Sequence, residues 1–145
     1  MLMGEYNHSI DDKLRLIIPS KFREELGEKV IITRGLENCL FIYSEKEWQK
    51  VVSKLNSLPF TKKDARSFTR MFLSGATDVE FDKQGRIKIT KSLCEYANLS
   101  KDCVVIGVND RLEVWSKENW DNYFNENSEN MSEVCEKLFD ADSEI

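Results

Sequence analysis

Asp82-Lys83-Gln84-Gly85-Arg86 stands between Val79-Glu80-Phe81 and Ile87-Lys88-Ile89. An acid, a short tip and a base separate two apolar alternations. The same phrase occurs earlier as Asp11-Asp12-Lys13-Leu14-Arg15, between Ser9-Ile10 and Leu16-Ile17-Ile18. Alternation of this kind predicts two strands around a tight turn. Its duplication predicts an internal repeat, and the repeat decides the fold.

Sliding the chain by 71 positions lays Gly4 on Gly75, Asp11 on Asp82, Arg15 on Arg86, Leu16 on Ile87 and Ile18 on Ile89. A slide of 72 lays Gly35 on Gly107, Leu40 on Leu112, Ile42 on Val114, Ser44 on Ser116 and Trp48 on Trp120. The single slip falls near residues 23–30, where a short helix should meet a turn.

Each copy reads alike. First strands are expected at 5–10 and 78–81, second strands at 15–18 and 86–89, with Ile10, Leu16 and Ile18 (and Phe81, Ile87 and Ile89) facing a core. A short helix follows, with Ser20 as an N-cap candidate and Phe22/Leu26 or Leu93/Ala97 on its buried face. Hairpins at 30–34/39–43 and 103–108/111–115 come next, turning at Gly35–Asn38 and Asn109-Asp110. Each copy ends in a helix that starts at Ser44 or Ser116. Trp48 and Trp120 are expected as core anchors there.

Thr61-Lys62-Lys63-Asp64 has a capping-box look and opens a linking helix with Ala65, Phe68, Met71 and Phe72 on one side. Lys62, Arg66 and Arg70 step along another face, either solvated, paired with acids of a neighbour, or against phosphate. The expected organisation is a first module at 1–60, a linking helix at 61–74, a second module at 75–125 and an acidic tail at 126–145. In the tail, Met131, Val134 (or Cys135) and Leu138 keep a weak helical spacing.

With 145 residues, two modules of this size have marginal cores alone and should pack on each other or on other subunits. Apolar runs of about four or five residues predict no membrane span. No basic start leads into an apolar core, so no signal peptide is expected. Four scattered cysteines and one histidine predict buried, reduced thiols, no metal site and no cofactor. The net charge of −5 hides an asymmetry. Residues 118–145 carry nine acids and one base, so the remaining body is +3.

The chemistry of the repeated turn follows from its residues. A short Asp carboxylate accepts backbone N–H bonds within a turn and clamps the fork of an Arg. Asp11, Asp82 and Gly85 are the turn-structuring candidates; Gly85 permits positive φ. Leu14 occupies the matching site in copy one. If that site is left-handed, Leu14 costs on the order of 1–2 kcal/mol; otherwise the first turn has another shape. The contact candidates are Arg15, Arg86, Lys13 and Lys83. Arg bonds guanine in the major groove, and Lys supplies phosphate contacts. Spacing alone equally permits Asp–Arg pairs that merely tie two hairpins.

Gly4-Glu5-Tyr6, Ile10–Lys13, Arg15–Pro19, Phe22-Arg23, Ile32–Leu36, Cys39-Leu40 and Asp82–Ile87 together resemble the bacterial MraZ family, over nearly the whole chain. The resemblance implies an α+β chain of two tandem, pseudo-symmetric AbrB-like swapped-hairpin β-barrel modules with peripheral helices. It implies a homo-oligomeric ring and a cytoplasmic, nucleoid-associated transcriptional regulator. Such regulators bind double-stranded DNA at short direct repeats upstream of their own gene, which heads a division and cell-wall cluster. Two departures stand out. Leu14 replaces the common Gly and should set the first turn apart. Thr90 replaces a Pro and should loosen the entry to helix 91–97.

The competing reading is an oligomeric protein-interaction scaffold without specific DNA binding. Catalysis is not expected, because no phosphate loop or nucleophile elbow is present and His8 lacks evident partners.

Overall fold

The computed structural model describes residues 1–139. The first repeat gives β1 (Leu2–Ser9), β2 (Arg15–Ile17), α1 (Ser20–Leu26), β3 (Lys29–Arg34), β4 (Leu40–Ser44), α2 (Glu45–Asn56) and α3 (Lys63–Ser74). The second gives β5 (Thr77–Glu80), β6 (Arg86–Lys88), α4 (Lys91–Tyr96), β7 (Asp102–Asn109), β8 (Leu112–Ser116), α5 (Lys117–Ser128) and α6 (Met131–Leu138). The class is α+β, and every element of one repeat has its counterpart in the other. The slip falls after the short helix: Gly27-Glu28 alone connects α1 to β3, whereas residues 97–101 connect α4 to β7.

The repeats interleave. Six strands form one antiparallel sheet in the order β1-β7-β8-β4-β3-β5, and β2 pairs with β6 in a separate ribbon. Exchanging each strand for its repeat counterpart reverses that order and leaves it unchanged, so the sheet has an internal two-fold. β1 of the first repeat pairs only with β7 of the second, from Leu2↔Asn109 to Ser9↔Asp102. β5 of the second pairs only with β3 of the first. The pairing is linear, with β1 and β5 as edges.

The inner strands are apolar runs because both their faces are covered. Val30, Ile32, Leu40, Ile42, Val105 and Val114 point to one core, shared with Leu16, Ile18, Ile87 and Ile89 under the β2–β6 ribbon and with α1 and α4. Phe41, Tyr43, Val104, Ile106 and Trp115 point to a second core, joined by Leu55 of α2, Phe72 of α3 and side chains of α5. Trp48 stacks on Phe72 at 5.7 Å, and Trp120 packs edge-on to Trp115 at 5.3 Å. Both are packing residues, and the Trp120 indole N–H also donates to Glu5 at 3.0 Å, tying α5 to β1. Glu113 is buried, and accepts from Arg111 at 2.8 Å and from the Trp115 indole at 3.0 Å. Arg111 also lies over the Phe41 ring. No buried side-chain N or O among the described residues lacks a partner, as low-dielectric burial demands.

Several local expectations are corrected. Ser20 is the first residue of α1, and Pro19 holds the N-cap position without a side-chain bond; its fixed φ suits a helix entry. Lys62, not Thr61, precedes α3, again without a capping bond. Thr90 does not loosen α4, since its side chain accepts from the Leu93 N–H at 3.2 Å. Ser44 and Ser116 cap α2 and α5 as expected, accepting from Glu47 and Asn119. The hairpin tip at 35–38 uses Glu37 and Asn38, rather than Gly35, for its left-handed residues. Of the apolar side of α3 only Phe72 is buried; Phe68 and Met71 are exposed. The weak helix in the tail is α6, and residues 140–145 of that tail lie outside the described residues. Cys39, Cys94 and Cys103 are buried free thiols, with burial pushing Cys103 to about 11. No described helix is long and apolar enough to cross a membrane.

The β1–β7 pairing requires close backbone approach at Gly107, which faces Gly4. A Cβ there would stand 2.4 Å from the Met3 nitrogen and 2.7 Å from the Leu2 carbonyl carbon. Gly107→Ala is therefore expected to destabilise the chain by about 1–3 kcal/mol in urea unfolding, as overpacked sites do. Unchanged stability would contradict the β1–β7 register.

Candidate nucleic-acid interface

The two Asp-x-x-x-Arg turns have the same bonding. In the first, Asp11 N–H donates to Arg15 O at 3.0 Å and Leu14 N–H to Asp11 O at 3.0 Å. One Asp11 carboxylate oxygen accepts from the backbone N–H of Lys13 and of Arg15, at 3.0 and 2.8 Å. The other accepts from Arg15 Nε at 2.7 Å. In the second, Asp82 N–H meets Arg86 O at 2.9 Å and Gly85 N–H meets Asp82 O at 3.0 Å. Asp82 accepts from Gln84 N–H, Arg86 N–H and Arg86 Nε at 2.9, 2.9 and 2.8 Å.

Bonds to the charged form lower a carboxyl pKa. Asp11 and Asp82 both lie below the usual carboxylate value. The backbone N–H of the paired Arg is the largest cause; desolvation opposes it, and the guanidinium bond adds to it. The carboxylate thus engages Nε and leaves the terminal nitrogens of each guanidinium largely free for an outside acceptor. Arg86 Nη1 also comes within 3.9 Å of Asp11, so the two turns are neighbours.

Backbone pairing sets that proximity. β2 and β6 pair as Arg15↔Lys88, Leu16↔Ile87 and Ile17↔Arg86. Beyond the strands, Ile18 N–H donates to Gly85 O at 3.1 Å and Ile89 N–H to Leu14 O at 2.9 Å. Leu16 and Ile87 are fully buried beneath the ribbon. Its outer face presents Arg15, Ile17, Arg86 and Lys88. Lys13 and Lys83 are exposed at the two tips.

The structure therefore brings all four contact candidates to one ribbon. It also adds Lys88, which the register sets opposite Arg15. Of two other nearby cations, Arg23 is half-buried and Lys21 exposed. Arg23 Nε donates to Ile18 O at 2.9 Å, and its guanidinium lies against Gly85. Lys21 sits 5.7 Å from the Tyr6 ring centre. On α3, Arg66 donates to Phe60 O at 3.0 Å, and that basic row does not join the ribbon.

Leu14 was expected to set the first turn apart, and it does not. Its φ is 62°, against 76° for Gly85. Both turns are left-handed at this position, so the first carries backbone strain. The Leu14 side chain offsets part of it by packing on the core under the ribbon.

A family model described as "MraZ protein, putative antitoxin-like" matches the chain twice, over residues 1–71 and 72–142. Each match spans 71 residues, the period of the repeat.

Two expectations follow. Gly85→Ala forces a Cβ into a left-handed site 2.5 Å from Arg23 Cζ, and should cost about 1–2 kcal/mol. Leu14→Gly exchanges strain relief for lost packing and should stay within about 1 kcal/mol of wild type. Urea unfolding checks both, and a neutral Gly85→Ala would contradict the strain. For pH, the depressed Asp pKa values mean that the turns stabilise the fold above the unfolded value of about 3.9. That contribution is lost as pH falls through the lower folded values. The stability advantage of wild type over Asp11→Asn/Asp82→Asn should shrink below about pH 4 in an acid unfolding series.

Proposed function

The chain belongs to the MraZ family, and from that premise we propose that it is a sequence-specific DNA-binding transcriptional regulator. It reads double-stranded DNA through the β2–β6 ribbon, at short direct repeats upstream of its own gene in the division and cell-wall cluster. Arg15 and Arg86 make the base or phosphate contacts that set affinity, and Lys13, Lys83 and Lys88 add phosphate contacts. No catalytic step and no cofactor is involved. The protein works in the cytoplasm, on the nucleoid.

The observation that carries this reading is the pair of turns held side by side. Each Arg is fixed by its Asp, with terminal nitrogens left over, on an exposed two-stranded ribbon. The major groove admits such a ribbon. Fixing the guanidinium in advance lowers the entropy lost on binding. A single ribbon has few phosphate contacts, so one chain binds weakly and with strong salt dependence. Several chains in a ring meet several repeats on one duplex, and linkage at roughly millimolar effective concentration supplies the affinity. The acidic C-terminal segment limits non-specific binding.

We also infer that the repeats are strand-exchanged AbrB-type modules, so that one chain mimics a dimer. Support comes from the exchanged edges, β1 on β7 and β5 on β3.

The test is a mobility-shift titration on the DNA upstream of the gene at two salt concentrations. Arg15→Ala and Arg86→Ala should each weaken specific binding by about 1–3 kcal/mol, roughly 5- to 150-fold, with the unfolding midpoint kept near wild type. Wild-type affinity in both variants would overturn the assignment. No shift at all, with Arg15→Ala and Arg86→Ala lowering the oligomer mass, would favour the scaffold.

A further inference from the structure

The internal two-fold that exchanges the repeats lays Arg15 on Arg86, but it lays Ile17 on Lys88 and Asp12 on Lys83. The outer face of the β2–β6 ribbon is therefore matched at its two arginines and unmatched around them. Residues 11–17 carry Asp11 and Asp12 against Lys13 and Arg15, a net charge of zero. Residues 82–88 carry Asp82 against Lys83, Arg86 and Lys88, a net +2. One half of the ribbon is basic, and the other sets an aliphatic side chain where its counterpart has a cation.

Packing within the chain does not account for Ile17. Its neighbours Leu16 and Ile18 are fully buried, so strand alternation turns Ile17 outward, and it is 42% exposed. Among the described residues it joins neither hydrophobic core. Arg86 lies directly across the ribbon from it, and Arg15 precedes it by two on the same face. In the major groove, guanine offers O6 and N7 to an Arg, and thymine offers a methyl group for apolar contact. An Arg and an Ile side by side suit a guanine next to a thymine. Ile is stiff at χ1, and the core holds the residues on either side of it. Its methyl groups are thus presented with little freedom left to lose on binding.

We propose that Ile17 is a specificity-determining residue, which reads the C5-methyl group of a thymine in the major groove beside the base pair met by Arg86. This rests on the DNA-binding reading above, and it adds what the ribbon recognises beyond charge. Lys88, at the matching place in the other half, meets phosphate. A reader with two-fold symmetry is suited to a palindrome. The Ile17–Lys88 mismatch instead gives the ribbon a direction along the duplex, as a direct repeat requires.

The test is a mobility-shift titration of the full chain on two versions of the upstream duplex, one natural and one with deoxyuridine in place of every thymine. Deoxyuridine keeps the base pairing and lacks the methyl group. Wild type should bind the uracil duplex about fourfold more weakly for each methyl contacted, the value of one buried carbon. Ile17→Ser should bind the natural duplex as weakly as wild type binds the uracil duplex, and should not distinguish the two. Ile17→Val keeps a branched aliphatic group and should keep the discrimination. Any effect of uracil on duplex shape appears with all three proteins alike, so the coupling between side chain and methyl group isolates the contact. Equal discrimination by wild type and Ile17→Ser, or none by wild type, would overturn the role of Ile17 and leave DNA binding standing. Ile17→Ser that shifts neither duplex would make Ile17 a structural residue and overturn that role as well. A wild type that fails to shift the natural duplex would overturn the DNA-binding reading, and this role with it.

Discussion

Two backbone hydrogen bonds between the repeats flank the β2–β6 ribbon, from Ile18 N–H to Gly85 O and from Ile89 N–H to Leu14 O. Each ends on the carbonyl of the left-handed residue of the opposite turn. Both residues hold positive φ while their carbonyls accept these bonds, so the two turns share one shape. This constraint explains Leu14. A bond of this kind contributes about 0.5–1.5 kcal/mol net, comparable with the strain of a left-handed Leu. The fold holds Leu14 in a conformation that its own side chain disfavours.

The same constraint joins function to folding. β2 and β6 pair with each other in their own ribbon, and β1 and β5 each pair with a strand of the opposite repeat. A domain of about 60 residues is marginal alone, and here neither half completes its own sheet. The basic ribbon therefore exists only when both repeats have folded together. The Asp carboxylates, engaged by backbone N–H groups and by Arg Nε, then fix the direction in which each guanidinium points.

Much of this was legible in the residues. The duplicated Asp-x-x-x-Arg phrase located both turns, because acid, tip and base at fixed spacing between alternating apolar residues serve few other purposes. Ser44 and Ser116 gave away their helices through capping chemistry. Pairing between repeats was not legible: alternation fixes which face of a strand is buried, and says nothing about which strand lies beside it. Lys88 escaped for that reason, since only the Arg15↔Lys88 register makes it part of the ribbon. Glu113 escaped because a charge in an apolar strand looks like an error until Arg111 and Trp115 are seen to satisfy it. The stripe on α3 misled in the other direction, as helical periodicity cannot by itself distinguish a buried apolar face from an exposed one.

The most direct measurement is a crystal structure of the chain bound to duplex DNA from upstream of its gene. The expected result has the β2–β6 ribbon in the major groove, with terminal nitrogens of Arg15 and Arg86 within hydrogen-bond distance of base edges or phosphates and both Asp–Arg clamps intact. A duplex lying instead along Lys62, Arg66 and Arg70 of α3, with the two turns facing solvent, would contradict the paired turns as the reader.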